Sequence, residues 1–533
     1  MLGAVALDGA ALGRSRRSAP SCLTARRSGC STRRAGRSLA APACSRHELG
    51  GALSSTHAHK GRPATGAYTV SIAGLSTTRF ADHIAHIYDL ACCHANHALG
   101  DISLTPDNIH ELSEARALAF FGSCHEGYER AQTLILGYLL DMEGHKRELE
   151  SELKNARTAK RTAIANELAK KTGLAAKKIN ILKKLADSIA WQMIGQQYHV
   201  ARRLHTGAAA GPVSATHHQS TFHAAQAYRA QSPYRFALLT DITTLVNIGD
   251  LLMVDRADRS ITIAEVKSGK KNEEVTEFLN FAIKSKFACP ASFFYFKQAH
   301  GEKGVEQAER VFKQYVKLSN AGKAIRSGVL HDLDLNASLR TPDCPPYLPD
   351  YDAAVDDCIA AAVRDGVSIG RCDDCLYIGA FAFDAAPQQV GDYFRLIDVG
   401  IDEGKTADCI KLTDGFSMPL APPIFVRHLP REQIMLVTFG LVNVLLYLRL
   451  DKFAQLAEEQ GLRISWLSKS ETQKLKPRPN GMAVFNGRAL RFDGTDKSIV
   501  FHESLLTRML FQGITPIGIL SLIKDALSSP ASE

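Results

Sequence analysis

Leu251 to Val254 is an unbroken apolar run, Asp255 to Ser260 (DRADRS) is polar apart from one alanine, and Ile261 to Val266 is apolar and β-branched again. Two short apolar runs around a polar, turn-compatible interval predict a β-hairpin. Around it the period changes. Lys183 to Leu204 repeats its apolar residues at helical spacing, Arg235 to Val246 predicts a strand ahead of the hairpin, and Asn272 to Lys286 predicts a helix behind it. Ala291 to Phe296 (ASFFYF) has the aromatic content of a strand, and Val305 to Leu318 returns to a helical pattern. Upstream, residues 77–206 predict mainly helix, with Asp107 to Leu140 and the charged stretch Glu143 to Lys184 as the longest patterns and a break at Gly173. Gly207 to Ser220 predicts a loop crossing toward the strands.

Beyond Val329 the pattern predicts a second folded unit, entered through the proline-rich Thr341 to Asp350 (TPDCPPYLPD). A helix is expected at Tyr351 to Asp365 and strands at Cys375 to Phe383, Phe394 to Val399 and Ile424 to Arg427. Gln433 to Leu448 is strongly apolar but falls short of the roughly 20 residues a bilayer requires, so it predicts a buried core helix rather than a membrane span.

The chemistry collects at the open end of the hairpin. Asp250 stands at the start of its first strand, and Glu265 and Lys267 stand near the end of its second. Antiparallel pairing brings the three to one end. Residues two apart on a strand share a face, so Glu265 and Lys267 point the same way. Two carboxylates and the backbone carbonyl of Val266 are hard oxygen ligands suited to Mg²⁺ or Mn²⁺. Such an ion polarises a phosphoryl oxygen and lowers the pKa of an attacking water, while a lysine beside it orients that water.

Glu-x-Lys also occurs at Glu152/Lys154 and Glu403/Lys405, yet only Glu265/Lys267 combines an upstream Gly-Asp, a hairpin and a downstream helix, strand and helix. In that setting the Asp250 and Glu265-x-Lys267 motif resembles the PD-(D/E)xK nuclease superfamily, the restriction-endonuclease-like fold. The resemblance covers residues 183–318. It implies a core of helix, three strands, helix and strand, hydrolysis of phosphodiester bonds with Mg²⁺ or Mn²⁺, and a nucleic acid, DNA above all, as partner. Asp250, Glu265 and Lys267 would be its catalytic residues, and Asp250, Glu265 and the Val266 carbonyl its metal ligands. Many members carry a further acidic residue on the first core helix. Asp187 holds that place here, and the lack of a partner in sequence predicts a solvated surface aspartate. Some exonuclease branches set a glutamine and a tyrosine four apart; here Gln307 is followed by Val311, so that pattern is not met. Gln307, Arg310 and Gln314 still share a helical face and are candidates to line a phosphate groove.

The fold class expected is therefore α/β, a restriction-endonuclease-like core at 183–328 between a helical region at 67–182 and a C-terminal α/β or α+β domain at 329–533. The formal charge of +9 points to nucleic acid, but its distribution weakens that inference. Residues 1–62 hold ten arginines and Lys60 against Asp8 and Glu48, which leaves 53 basic and 53 acidic residues in the other 471. Poor in aromatic and β-branched residues, 1–66 predicts a disordered basic tail, either plain or translated from a misplaced start ahead of Tyr68 or Val70. Twelve Lys or Arg against four Glu between His145 and Lys184 read as a solvated helical face or a phosphate-tracking run.

Twelve cysteines without an apolar signal region predict free thiols in a reduced, cytoplasmic setting. Cys372 and Cys375 lack the second pair a structural zinc needs. His83, His86, Cys92, Cys93, His94 and His97 read as helix-packing thiols and surface imidazoles, and His217, His218 and His223 as members of a polar loop. No phosphate-binding Gly-rich loop with Lys-Ser/Thr and no Gly-x-Ser-x-Gly elbow occurs. Two function classes compete: a Mg²⁺-dependent nuclease, and a non-catalytic interaction protein that uses a nuclease-like scaffold.

Overall fold

A computed structural model describes residues 3–6, 78–96, 113–205, 215–267, 270–285, 289–327, 329–332, 337–340, 348–382, 410–475, 484–485 and 487–528. Helix α1 (Thr78–Tyr88) runs into a π-helical turn at Asp89–Cys93. The next two helices, α2 (Glu114–Thr158) and α3 (Thr162–Met193), form a long antiparallel hairpin. Its distal part is held by a narrow seam in which Leu149, Leu153 and Ala156 meet Ala165, Leu168 and Ala175, so the charged residues between them face outward. The break falls at Lys160 and not at Gly173, which lies inside α3. Lys160 takes φ 55°, its N–H bonds the Arg157 carbonyl and the Arg161 N–H bonds that of Ala156, which together close α2 as a Schellman motif. Gly195 ends α3 the same way, with φ 65°, so the single helix expected over Lys183 to Leu204 is α3 followed by a short α4 (Tyr198–Leu204). The segment expected as a loop is helical from Ala215 onward, in α5 (Ala215–Arg229), which carries His217, His218 and His223.

The expected hairpin is present. Strand β3 (Leu251–Asp255) pairs with β4 (Ser260–Lys267), and β2 (Arg235–Leu239) pairs with β3; β2 stops at Leu239, short of the expected Val246. All pairings are antiparallel, and Gly3–Ala6 (β1) adds an edge strand beside β4, so four residues of the expected disordered tail are ordered. Gln132 of α2, buried, covers the outer edge of β2: it donates to the Ala237 carbonyl (3.3 Å) and accepts from the Leu239 N–H (2.8 Å).

After β4 come α6 (Lys270–Lys284) and α7 (Pro290–Ser327), which is two helical pieces joined across a kink at Gly301, where φ is 64° and ψ −173°. The strand expected at Ala291 to Phe296 is the first part of α7. Proline is favoured in the first turn of a helix, and the helical period leaves only Phe296 of this aromatic run buried, stacked 4.1 Å from Phe278 of α6. The element order is thus helix, three strands, helix, helix, and the fourth core strand implied by the restriction-endonuclease resemblance is absent from this position. The chain is of mixed α and β class with small antiparallel sheets. A two-stranded ribbon, β5 (Val329–Asp332) and β6 (Ala337–Arg340), follows α7.

The C-terminal half sets α8 (Asp352–Asp365) against a sheet of β7 (Val367–Cys372), β8 (Leu376–Ala382), β9 (Ile410–Lys411) and β10 (Val442–Leu448), in the order β7-β8-β10-β9. The apolar stretch Gln433 to Leu448 is not one helix. It is α9 (Arg431–Thr438), a turn at Gly440 with φ 66°, and strand β10, whose β-branched and aromatic residues pair with β8. Ile424–Val426 is a 3-10 turn instead of a strand, and the strand expected at Phe394 to Val399 lies outside the described residues. A small sheet of Arg463–Trp466, Val484–Phe485, Arg488–Asp493 and Ser498–Val500 closes the chain with its flanking helices. One cluster of buried apolar side chains runs from Ile84 to Ile523, across both halves. No described helix is long and apolar enough to cross a membrane.

Candidate active site

The turn of the hairpin is built by Asp255. Its carboxylate accepts from the N–H groups of Ala257 (3.0 Å) and Asp258 (3.3 Å) and from Arg235 Nε (2.6 Å), and Arg259 completes the turn at φ 50°. This fixes the register at the other end, where Leu251 faces Ala264. Asp250 lies one residue beyond the last pair of that register. The Asp250 N–H donates to the Ala264 carbonyl (2.8 Å), and its Oδ2 accepts from the Val266 N–H (2.6 Å). The N–H and C=O of a strand residue turn to the same neighbour, so the Val266 carbonyl is directed toward Asp250 as well. Asp250 and the backbone of Val266 are therefore brought together, and Glu265 is the residue just before Val266 on β4. Lys267 ends β4 two residues beyond Glu265, and its side chain lies outside the described residues.

Asp250 is held by the segment before it. Residues 240–250 are largely buried, and a buried loop must find partners for its backbone groups. Thr240 N–H bonds the Asp250 carbonyl (3.0 Å), its hydroxyl donates to the Gly249 carbonyl (2.5 Å), and Asn247 N–H bonds the Leu204 carbonyl (3.0 Å). Gly249 has φ 68°, and a Cβ there would lie 2.6 Å from Ile263 Cγ2 and 2.9 Å from the Ala264 oxygen. Asp187 supplies the remaining support and corrects the expectation of a surface aspartate. It is fully buried: Oδ1 accepts from the N–H groups of Thr244 (2.7 Å) and Leu245 (3.0 Å), and Oδ2 takes the Thr244 hydroxyl and sits 3.0 Å from Lys184 Nζ. Lys184, equally buried, also donates to the Met418 carbonyl (2.7 Å) in the C-terminal half. Burial drives the Lys184 pKa below its ordinary value, and the Asp187 carboxylate opposes that. The chain of contacts from Met418 through Lys184 and Asp187 to Thr244 thus fixes the loop that carries Asp250.

A second acidic group not singled out by sequence stands nearby. Asp241 follows Thr240 directly, and its Oδ2 lies 3.7 Å from Nδ1 of the buried His218. The only signal in sequence is its place just after a strand. Gln307, Arg310 and Gln314 lie on α7; the Gln307 amide bonds Asn272 Oδ1 at the start of α6, tying the two helices, while Arg310 is exposed and Gln314 half-buried. His83 stacks on Tyr138 and His94 lies 3.6 Å from Glu126; His97 is outside the described residues. Cys372 and Cys375 flank the tight turn between β7 and β8. Burial raises both thiols, Cys372 to about 12, which keeps them protonated.

Asp350, Asp352 and His428 bring their ligand atoms within 4.8 Å of one another. The arrangement works as a structural clamp. Asp352 Oδ1 takes Nε (2.7 Å) and Nη2 of the buried Arg427, its Oδ2 takes the His428 N–H, and the His428 ring lies 3.0 Å from Asp350 Oδ2. Gly513 packs so closely on the pair that a Cβ would lie 2.7 Å from Arg427 Nη2. Burial works against the Arg427 charge, and Asp352 and Tyr351 more than restore it, so its pKa is raised. The chain matches no protein-family model, no curated protein and no solved structure.

Proposed function

We propose that this chain is a metal-dependent nuclease that hydrolyses phosphodiester bonds, with DNA as its substrate. The observation that carries the reading is the hydrogen bond from the Val266 N–H to Asp250 Oδ2 at the open end of the β3–β4 hairpin, which puts Asp250 against the strand segment that runs Glu265, Val266, Lys267. The donors are all oxygen, which suits Mg²⁺ or Mn²⁺ and gives zinc no imidazole or thiolate. Asp250, Glu265 and Val266 would hold the ion, which supplies Lewis-acid stabilisation of the phosphoryl oxygens when bound. Asp250 and Glu265 would then fix the scissile phosphate's position relative to β4, and Lys267 would hold the attacking water by a charge-assisted hydrogen bond and offset charge growing on the phosphoryl oxygens.

A non-catalytic interaction protein is the second reading. It is favoured by one Asp250 oxygen being spent on the Val266 N–H and by α7 standing where the fourth core strand is expected. Cleavage assays separate the two. The purified protein should cut DNA with Mg²⁺ or Mn²⁺ and stop with EDTA. Lys267→Ala should keep Mn²⁺ binding while lowering the rate by about a hundredfold or more, whereas Glu265→Gln should weaken Mn²⁺ binding itself. Cleavage that survives both chelation and Asp250→Ala would remove the nuclease reading.

A further inference from the structure

Helices α6 and α7 form a hairpin whose inner side is packed by Val275, Leu279, Phe296 and Ala308. Its tip is different. Phe281, Phe293, Phe294 and Tyr295 are 51, 48, 64 and 68% exposed, and among the described residues every exposed large aromatic side chain is one of these four. From Phe278 to Gly301 the sequence has Lys284, Lys286 and Lys297 and no Asp or Glu. Lys297 is paired with Glu302 (2.6 Å), just past that interval. The tip therefore carries exposed rings with the exposed Lys284 beside Phe281 and no acid in its sequence, whereas the start of α6 carries Glu273, Glu274 and Glu277.

The placement of the rings selects the kind of partner. Phe293, Phe294 and Tyr295 are consecutive in a helix, so at about 100° per residue they fan over about 200° of its circumference. A partner helix or a flat lipid surface engages a stripe of about 100°. Successive bases of a flexible strand can each take one ring, because every base has a π-face, and the exposed Lys284 supplies charge for its phosphates. We propose that the tip of the α6–α7 hairpin is a stacking platform for unpaired nucleotides, and that the substrate of this chain carries a single-stranded stretch. The identity of the ligand rests on the nuclease reading, since α6 follows directly on the strand that bears Glu265 and Lys267.

The test is binding of a fluorescein-labelled oligo-dT strand and of a matched duplex to the full chain, by anisotropy, with EDTA present so that neither metal nor cleavage enters. Phe294→Ala/Tyr295→Ala should weaken single-strand binding by about tenfold or more, with little change for the duplex. Phe294→Leu/Tyr295→Leu, which keeps the apolar surface but not the rings, should lose as much, and Tyr295→Phe should bind as wild type. Unchanged single-strand affinity in the double alanine variant would overturn the proposal. So would a loss confined to self-association in sedimentation or to binding of anionic vesicles, which would assign the tip to a second copy or to lipid. A chain that binds the strand through these rings but never cuts with Mg²⁺ or Mn²⁺ would refute the nuclease reading alone; one that cuts but ignores the rings would refute the platform alone.

Discussion

Removing Lys184 or Asp187 tests whether the loop that carries Asp250 is held from behind. Both side chains are fully buried and 3.0 Å apart, and breaking such a pair by deleting one partner costs about 3–5 kcal/mol. The two deletions should not be equal. Lys184→Met strands the Met418 carbonyl, but the Asp187 carboxylate keeps three donors from Thr244 and Leu245, which places its cost near 3 kcal/mol. Asp187→Ala also orphans the buried Leu245 N–H, at about 1–3 kcal/mol, and the half-buried Thr244 N–H, so it should reach about 5 kcal/mol or more. The double variant should cost clearly less than the two singles together, because each single alone leaves a charge unpaired. Trp191, fully buried one helical turn from Asp187, reports the local transition in urea by its fluorescence. Mn²⁺ affinity measured under native conditions should fall in Asp187→Ala as Asp250 loses its support. A cost of about 0.5 kcal/mol or less for Asp187→Ala would mean that the aspartate behaves as a surface charge and would refute the reasoning.

Two further outcomes are expected. His125 is held down to about 3, first by burial and then by the Arg256 charge, against an ordinary 6.5. Its stabilising contribution is therefore complete above pH 6.5 and is lost as the pH falls toward 3, with about 2 kcal/mol of it gone by pH 5; urea midpoints at pH 7.5 and pH 5 should show a decline that His125→Gln flattens. Gly249→Ala should cost about 1–3 kcal/mol from the positive φ alone, and more from the contact with the Ala264 oxygen. It should weaken Mn²⁺ binding in step, and unchanged values on both counts would show that the position of Asp250 does not depend on this glycine.

The hairpin was legible because its signal is local: two apolar runs, a polar turn, and carboxylates at fixed offsets from both. Asp187 was not, because its partners Thr244 and Leu245 lie more than fifty residues away and nothing in its own neighbourhood marks them. The aromatic run before Lys297 reads as a strand by composition, and it is a helix because Pro290 can open one and Phe278 offers a single stacking partner at helical spacing. Gln433 to Leu448 shows the opposite error. A short apolar run does not distinguish buried helix from buried strand, and here Gly440 divides the run into one of each.

Gln132 has a consequence for how the first sheet is bounded. An edge strand is ordinarily an invitation to another strand, since its unpaired N–H and C=O groups face outward. By taking one of each from β2, a single amide on α2 stands in for the missing neighbour and makes that border of the sheet a helix contact. The sheet's other border is β1, the Gly3–Ala6 strand that already lies alongside Glu265 and Lys267. A further extended segment would therefore add to β1, one strand away from Glu265, so the strand that borders the carboxylate is the one drawn from the start of the chain.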